Sequence, residues 1–245
     1  MEQIQQRDKD LLKICFEQKF LNKQQIREWV SIRGGLNKSE SAERIARRRL
    51  NQLKALGLIE TQQHQLSKKE YVNVTATGVR YLIDLGLIPE NAKHAEVDAH
   101  TINHDSMVTN IRLCCMKHHL FEAWQSDRCL KLQDKNQIPD AVVSFFAPKQ
   151  NKTVFAAIEV ELTVKQRDRL KTVFKSYDKS DYQLVLYFME SESQIFFYQD
   201  LSENICSKVF YCTVNNFLET GMLSQWINRH DSFFTHQFAV TKGAA

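Results

Sequence analysis

The sequence predicts a mixed α/β fold in two parts: a small helical domain carrying a β-hairpin over residues 1–88, and an α/β domain with a mixed sheet over residues 100–245. Three observations carry that expectation. The first ninety residues hold three amphipathic runs, two short strand-like runs around a polar tip, and a fourth amphipathic run. Beyond residue 100, strand-like apolar segments alternate with helical ones, the order of an α/β domain. A polar stretch over residues 89–99, opened by Pro89, separates the two patterns.

Composition narrows the class. A chain of 245 residues can bury two modest cores, and 43% apolar with 25% charged residues is ordinary for a soluble protein. No apolar run approaches the roughly 20 residues needed to cross a bilayer, and no signal-type stretch follows Met1. A cytoplasmic protein with no membrane attachment is the expectation. The six cysteines form no CxxC pair and read as buried free thiols, not as a zinc site. The net charge of +4 is unevenly spread: residues 1–95 carry 17 Lys/Arg against 11 Asp/Glu, and the remainder 16 against 18. An acidic partner is therefore expected for the first domain.

Taken in order, residues 7–18 form a first helix with Leu11, Leu12, Ile14, Cys15 and Phe16 on its apolar side. Asn22 caps a second helix in which Ile26, Trp29 and Val30 share a side, and Gly34-Gly35 ends it. Ser39 or Ser41 starts a third, running to about Leu56 with Ile45, Leu50, Leu53 and Leu56 as its stripe and Gly57 as its cap. Residues 58–61 and 71–74 are short strands around a polar, basic tip, and Thr75 caps a further helix. Helix, helix, helix, strand, tip, strand, helix is the order of a winged helix-turn-helix domain. On the third helix Arg44, Arg47 and Arg48 are i, i+3 and i+4 neighbours. Together with Arg49 they supply guanidinium forks suited to guanine edges and phosphates of double-stranded DNA. Lys68 and Lys69 in the tip would contact the flanking backbone. DNA binding of this kind needs no cofactor.

In the second domain a helix begins near His100 and ends at His118-His119, a polar end expected to fray. Strands follow over residues 121–124, 140–146, 154–162, 183–188 and 194–198, with a basic helix over residues 165–177. Asp140 opens one strand after Pro139, and Glu159 and Glu161 lie i, i+2 near the end of the next, hence on one face. Three converging carboxylates suit Mg²⁺ or Mn²⁺. The Phe-rich segment over residues 210–238, with Trp226, is core or a subunit interface.

This order of elements resembles the PD-(D/E)xK restriction-endonuclease-like superfamily, with Asp140 and Glu159 in the metal-holding positions and Glu161 where a lysine belongs. The resemblance implies that Lys165, Lys171 or Lys175 substitutes for that lysine if the domain cleaves DNA, Lys175 being the catalytic assignment. As a whole the chain resembles the replication-relaxation family of plasmids and integrative elements. Thr75-x-x-Gly78, His104-Asp105, Trp124, Pro139-Asp140-Ala141, Glu159-Val160-Glu161 and Lys175-Ser176-Tyr177 carry that likeness over residues 8–190. It implies DNA handling in plasmid replication, relaxation or conjugative mobilisation, with relaxase or replication proteins as partners. Three readings stand: a DNA-binding protein, expected as a homodimer on two half-sites; an adaptor that docks a partner protein; and a Mg²⁺-dependent endonuclease. Binding ranks first because the third helix is basic and the lysine is missing from its place.

Overall fold

A computed structural model describes residues 4–35, 40–63, 69–133, 138–147 and 151–238. The chain is a mixed α/β protein in two compact units, Met1–Thr109 with Lys131–Asp134, and Asn110–Leu130 with Lys135–Ala245.

In the first unit α1 (Gln6–Glu17), α2 (Lys23–Gly34) and α3 (Glu40–Ala55) precede a hairpin of β2 (Ile59–Gln63) and β3 (Glu70–Val74), and α4 (Ala76–Asp84) closes it. A two-residue strand the sequence did not suggest, β1 (Leu21–Asn22), pairs antiparallel with β3 and makes the sheet order β1-β3-β2. Two residues are too few for a periodicity to register. Asn22 then caps α2 by accepting the Gln25 amide, while the Gln25 side chain accepts from Asn22 N–H. This reciprocal box fixes where the strand stops and the helix starts.

At its other end α3 is closed by Gly57 in the left-handed region. Gly57 N–H donates to Lys54 O at 2.9 Å and Leu58 N–H to Leu53 O at 3.0 Å. The buried side of α3 is Ala42, Ala46, Arg49 and Leu53; the expected stripe of Ile45, Leu50, Leu53 and Leu56 is rotated from it, and Leu56 is exposed. Residues 89–99 do not run free: Asn73, fully buried, donates from Nδ2 to Ala95 O at 3.1 Å, and Val97 packs with Phe20, Tyr71 and Ile102.

The second unit is a seven-stranded mixed sheet. It comprises β4 (Ala123–Ser126), β5 (Ala141–Ala147), β6 (Lys152–Glu161), β7 (Leu184–Met189), β8 (Val209–Thr213), β9 (Gln225–Ile227) and β10 (Ser232–Phe234), in the order β10-β9-β8-β7-β6-β5-β4, and a short helix α6 (Asp127–Lys131) follows β4 in the chain. Pairs β6-β7 and β7-β8 are parallel and the rest antiparallel. The parallel pairs need crossovers, supplied by α7 (Arg167–Asp178) and α8 (Glu192–Ser202). Residues 194–198, expected as a strand, lie inside α8. Ser191 caps that helix by accepting Gln194 N–H, and Ile195, Tyr198 and Leu201 are buried at helical spacing.

Between the crossover helices and the sheet lies an aromatic core of Phe174, Tyr177, Tyr187, Tyr198 and Tyr211. On the C-terminal part of the sheet, Phe188 meets Phe217 of α9 (Val214–Thr220) and Trp226 edge-on, at 4.9 and 4.8 Å between centroids. Much of the Phe-rich segment is thus core, with Trp226 1% exposed, although Leu223 and Phe234 stand exposed. Helix α5 (Ile102–Lys117) is capped, not frayed: His119 takes a left-handed φ of 51° and Leu120 N–H returns to Cys115 O at 2.9 Å. All six cysteines are free, and only Cys129 is not fully buried. Among the described residues no helix is long and apolar enough to cross a membrane.

Candidate functional site

Helix α3 presents Arg44, Arg47 and Arg48 exposed, on the flank opposite Ala42, Ala46, Arg49 and Leu53. The amphipathic pattern produces this: burying the short-residue side against the unit turns the three guanidinium groups outward. Arg49 is a correction to the expected DNA-binding set. It is 5% exposed, its Nη1 lies 3.3 Å from Asp8 Oδ2, and it also donates to Gln52 and Gln5 at 3.2 and 3.1 Å. A guanidinium enclosed in that way ties α3 to the start of α1 and is not presented to a ligand. Lys69 is exposed beside β3; Lys68 lies outside the described residues.

Beside the arginine face a groove of about 450 Å³ runs between α2, α3 and the hairpin. Its floor is Ala46, Leu50, Ile59 and Val72, and its rim carries Lys23, Arg27, Arg47 and Lys54. Lys23 pairs with Glu70 and Arg27 with Glu43 at 3.2 Å, so two of these cations are partly neutralised. Lys54 is a rim cation the sequence reading passed over, although it follows Arg47 by seven residues, two helical turns on the same side.

In the second unit, strand parity places Asp140, Glu159 and Glu161 on one face. Ala157, Glu159 and Glu161 of β6 pair with Val185, Tyr187 and Met189 of β7 beneath α7 and α8, and Asp140 opens β5 on the same side. Each carboxylate meets an internal donor. Asp140 Oδ2 accepts from Val160 N–H at 2.8 Å. Tyr177 O–H donates to Glu159 Oε1. The Lys165 ammonium donates to Glu161 Oε1. Loss of water raises Glu159 to a pKa of about 8; the neighbouring Asp140 charge adds to this, and the Tyr177 hydrogen bond and the Lys165 charge oppose it. Tyr198, wholly buried, is pushed to about 12 by desolvation, and its oxygen accepts from Lys165 N–H at 3.4 Å.

The lysine at these acids is therefore Lys165, in the loop after β6 and four residues beyond Glu161. Lys175 and Lys171 are exposed on α7, whose buried side is Leu170, Phe174 and Tyr177. Lys175, the expected catalytic lysine, is not at the acids: its side chain leaves the sheet, while Tyr177 of the same motif enters it. Mg²⁺ or Mn²⁺ is what three such acids are expected to hold, yet the donor set does not fit. Glu161 is turned to an ammonium and Glu159 to a phenol, and among the described residues no group of three or more His, Cys, Asp or Glu is arranged for a metal ion.

The remaining motif residues make local contacts. Thr75 accepts Gly78 N–H at 3.0 Å and donates to Gly57 O at 2.6 Å. Burial raises Asp105, but the hydrogen bond from His104, the Lys19 charge and the hydrogen bonds from Lys19 and Thr101 outweigh it and hold its pKa at about 2; it anchors α5 to Lys19 at 2.8 Å. The Arg112 guanidinium lies 5.9 Å over the Trp124 ring. Compared with known protein families, the chain matches the model described as replication-relaxation over residues 12–181. Comparisons with curated proteins and with solved structures return no match.

Proposed function

The chain belongs to the replication-relaxation family, and from that premise we propose that it is a double-stranded DNA-binding protein acting in plasmid replication or mobilisation. The first unit is read as a winged helix domain, α3 as the element that enters the major groove and the β2-β3 hairpin as the wing. One observation carries this reading: Arg44, Arg47 and Arg48 stand exposed on one flank of α3 beside that hairpin. Guanidinium groups so placed reach phosphate oxygens and the O6/N7 edge of guanine. The basic balance of the first ninety-five residues supports it, since neutralising phosphates and releasing their counterions is the main source of affinity for duplex DNA.

The second unit is read as a restriction-endonuclease-like domain kept for its shape: helix α5, strands β4 to β6, helix α7 and strand β7 follow that fold's order. It would support docking of relaxase or replication proteins on the bound DNA. A homodimer on two half-sites is the expected bound form, because a two-fold partner doubles the contacts. The cytoplasm, where plasmid DNA lies and thiols stay reduced, suits the six free cysteines.

Duplex binding measured against ionic strength tests the proposal. The double variant Arg47→Ala/Arg48→Ala is expected to lose about tenfold or more in affinity and to show a shallower salt slope. Unchanged binding by the folded variant overturns the assignment of α3. The competing reading, a metal-dependent endonuclease, is favoured only by the presence of a lysine among the acids. Nicking of supercoiled plasmid by the wild-type chain, absent from Asp140→Ala, would replace our reading of the second unit.

A further inference from the structure

We infer that Lys165 is a built-in counter-ion that holds the acidic pocket of the second unit closed to divalent cations. The inference does not depend on how the first unit is read. Glu161 is 3% exposed and sits at the end of β6 beneath the crossover helices. A carboxylate that deep needs a positive partner, because desolvating an unpaired charge costs several kcal/mol. The partner is supplied four residues later, where the Lys165 ammonium meets Glu161 Oε1. The loop carrying that lysine is tied down at its backbone, Lys165 N–H donating to the hydroxyl of Tyr198. Tyr198 is fixed in turn, its backbone oxygen accepting from Tyr211 O–H at 3.2 Å while Tyr211 also donates to Ser202 Oγ at 2.8 Å.

The consequence is competitive. Mg²⁺ and Mn²⁺ take oxygen ligands and would need Glu161 together with Glu159 or Asp140. Lys165 already occupies a Glu161 oxygen, and its charge repels a second cation within the same few ångströms. Glu159 and Asp140 remain, the first accepting from Tyr177 O–H and the second from Val160 N–H. Removal of the ammonium takes a positive charge from beside a buried acid, and a divalent ion is then free to supply it.

The test is Mn²⁺ binding to the full chain by calorimetry and by electron paramagnetic resonance of free Mn²⁺. Lys165→Met keeps the length of the side chain without its charge. Lys165→Gln, which retains a hydrogen-bond donor for Glu161, guards against misfolding of the first variant. Either folded variant is expected to bind Mn²⁺ about tenfold or more tightly than the wild type, the scale on which a neighbouring charge shifts a carboxylate's affinity for a proton. Adding Glu161→Gln to that variant is expected to abolish the gain. Equal binding by wild type and variants, or no gain in either folded variant, overturns the inference. So does metal-dependent plasmid nicking by the wild type that Lys165→Met abolishes, since Lys165 would then serve cleavage. DNA affinity is read separately from all of these, so a failure here leaves the role of α3 untouched.

Discussion

Arg48 and Arg49 are neighbours in the chain, yet replacing each with alanine has different consequences. Arg48→Ala removes an exposed side chain and is expected to change stability by no more than about 0.5 kcal/mol. Arg49→Ala strands Asp8, 1% exposed, without its counter-charge and is expected to cost about 3 kcal/mol or more. Urea unfolding of the two variants, checked for an unchanged m-value, makes the comparison. A second prediction concerns protons. Glu159 holds its proton to about pH 8 when folded, against an ordinary value of 4.5, so the stability its neutral form supplies is complete below about pH 4.5 and drains away as pH rises through 8. Glu159→Gln, neutral throughout, should flatten the fall in urea midpoint across that window; an unchanged slope would assign the fall to other groups. The shared face of Glu159 and Glu161 was legible, because strand parity depends on sequence separation alone. The burial of Arg49 was present in the 42, 46, 49, 53 spacing but hidden, since the apolar Ile45 and Leu50 mark a different side of the helix. Which lysine reaches the acids depends on the path of a loop, and no periodicity encodes that.

At the scale of elements, one glycine makes a junction that no other residue fits. A Cβ on Gly78 would stand 2.1 Å from Leu58 O, the carbonyl that receives Thr75 N–H at 3.1 Å. Gly78→Ala must therefore push α4 away from the end of α3, and is expected to cost about 2 kcal/mol or more, read as a lowered melting temperature. A melting temperature equal to wild type would mean the junction yields freely. The Thr75-x-x-Gly78 motif announced a cap, and the cap is there; the close approach of a distant carbonyl was not readable from it. Helix α8 shows the opposite failure. Its Ile195-Phe196-Phe197-Tyr198 run has the aromatic, β-branched character of a strand, but Ser191 and Gln194 close a capping box before it and impose the helical period. Strands β4 to β7 were found nearly in register because each is bounded by a polar break.

For the whole molecule, charge asymmetry and the change of pattern near residue 100 announced a helical part and a sheet part, and the family match spans elements of both. Sequence could not give the sheet order, since the pairing of β8 with β7 and β9 rests on contacts among residues far apart in the chain. That order has a result for the molecule in a crowded solution. The outer strands of the seven-stranded sheet are its shortest or nearly so, β4 with four residues and β10 with three. Rims this brief offer another chain few unpaired amides and carbonyls to zip onto. Copies held at high local density are thus guarded against fusing through this sheet into a continuous ribbon.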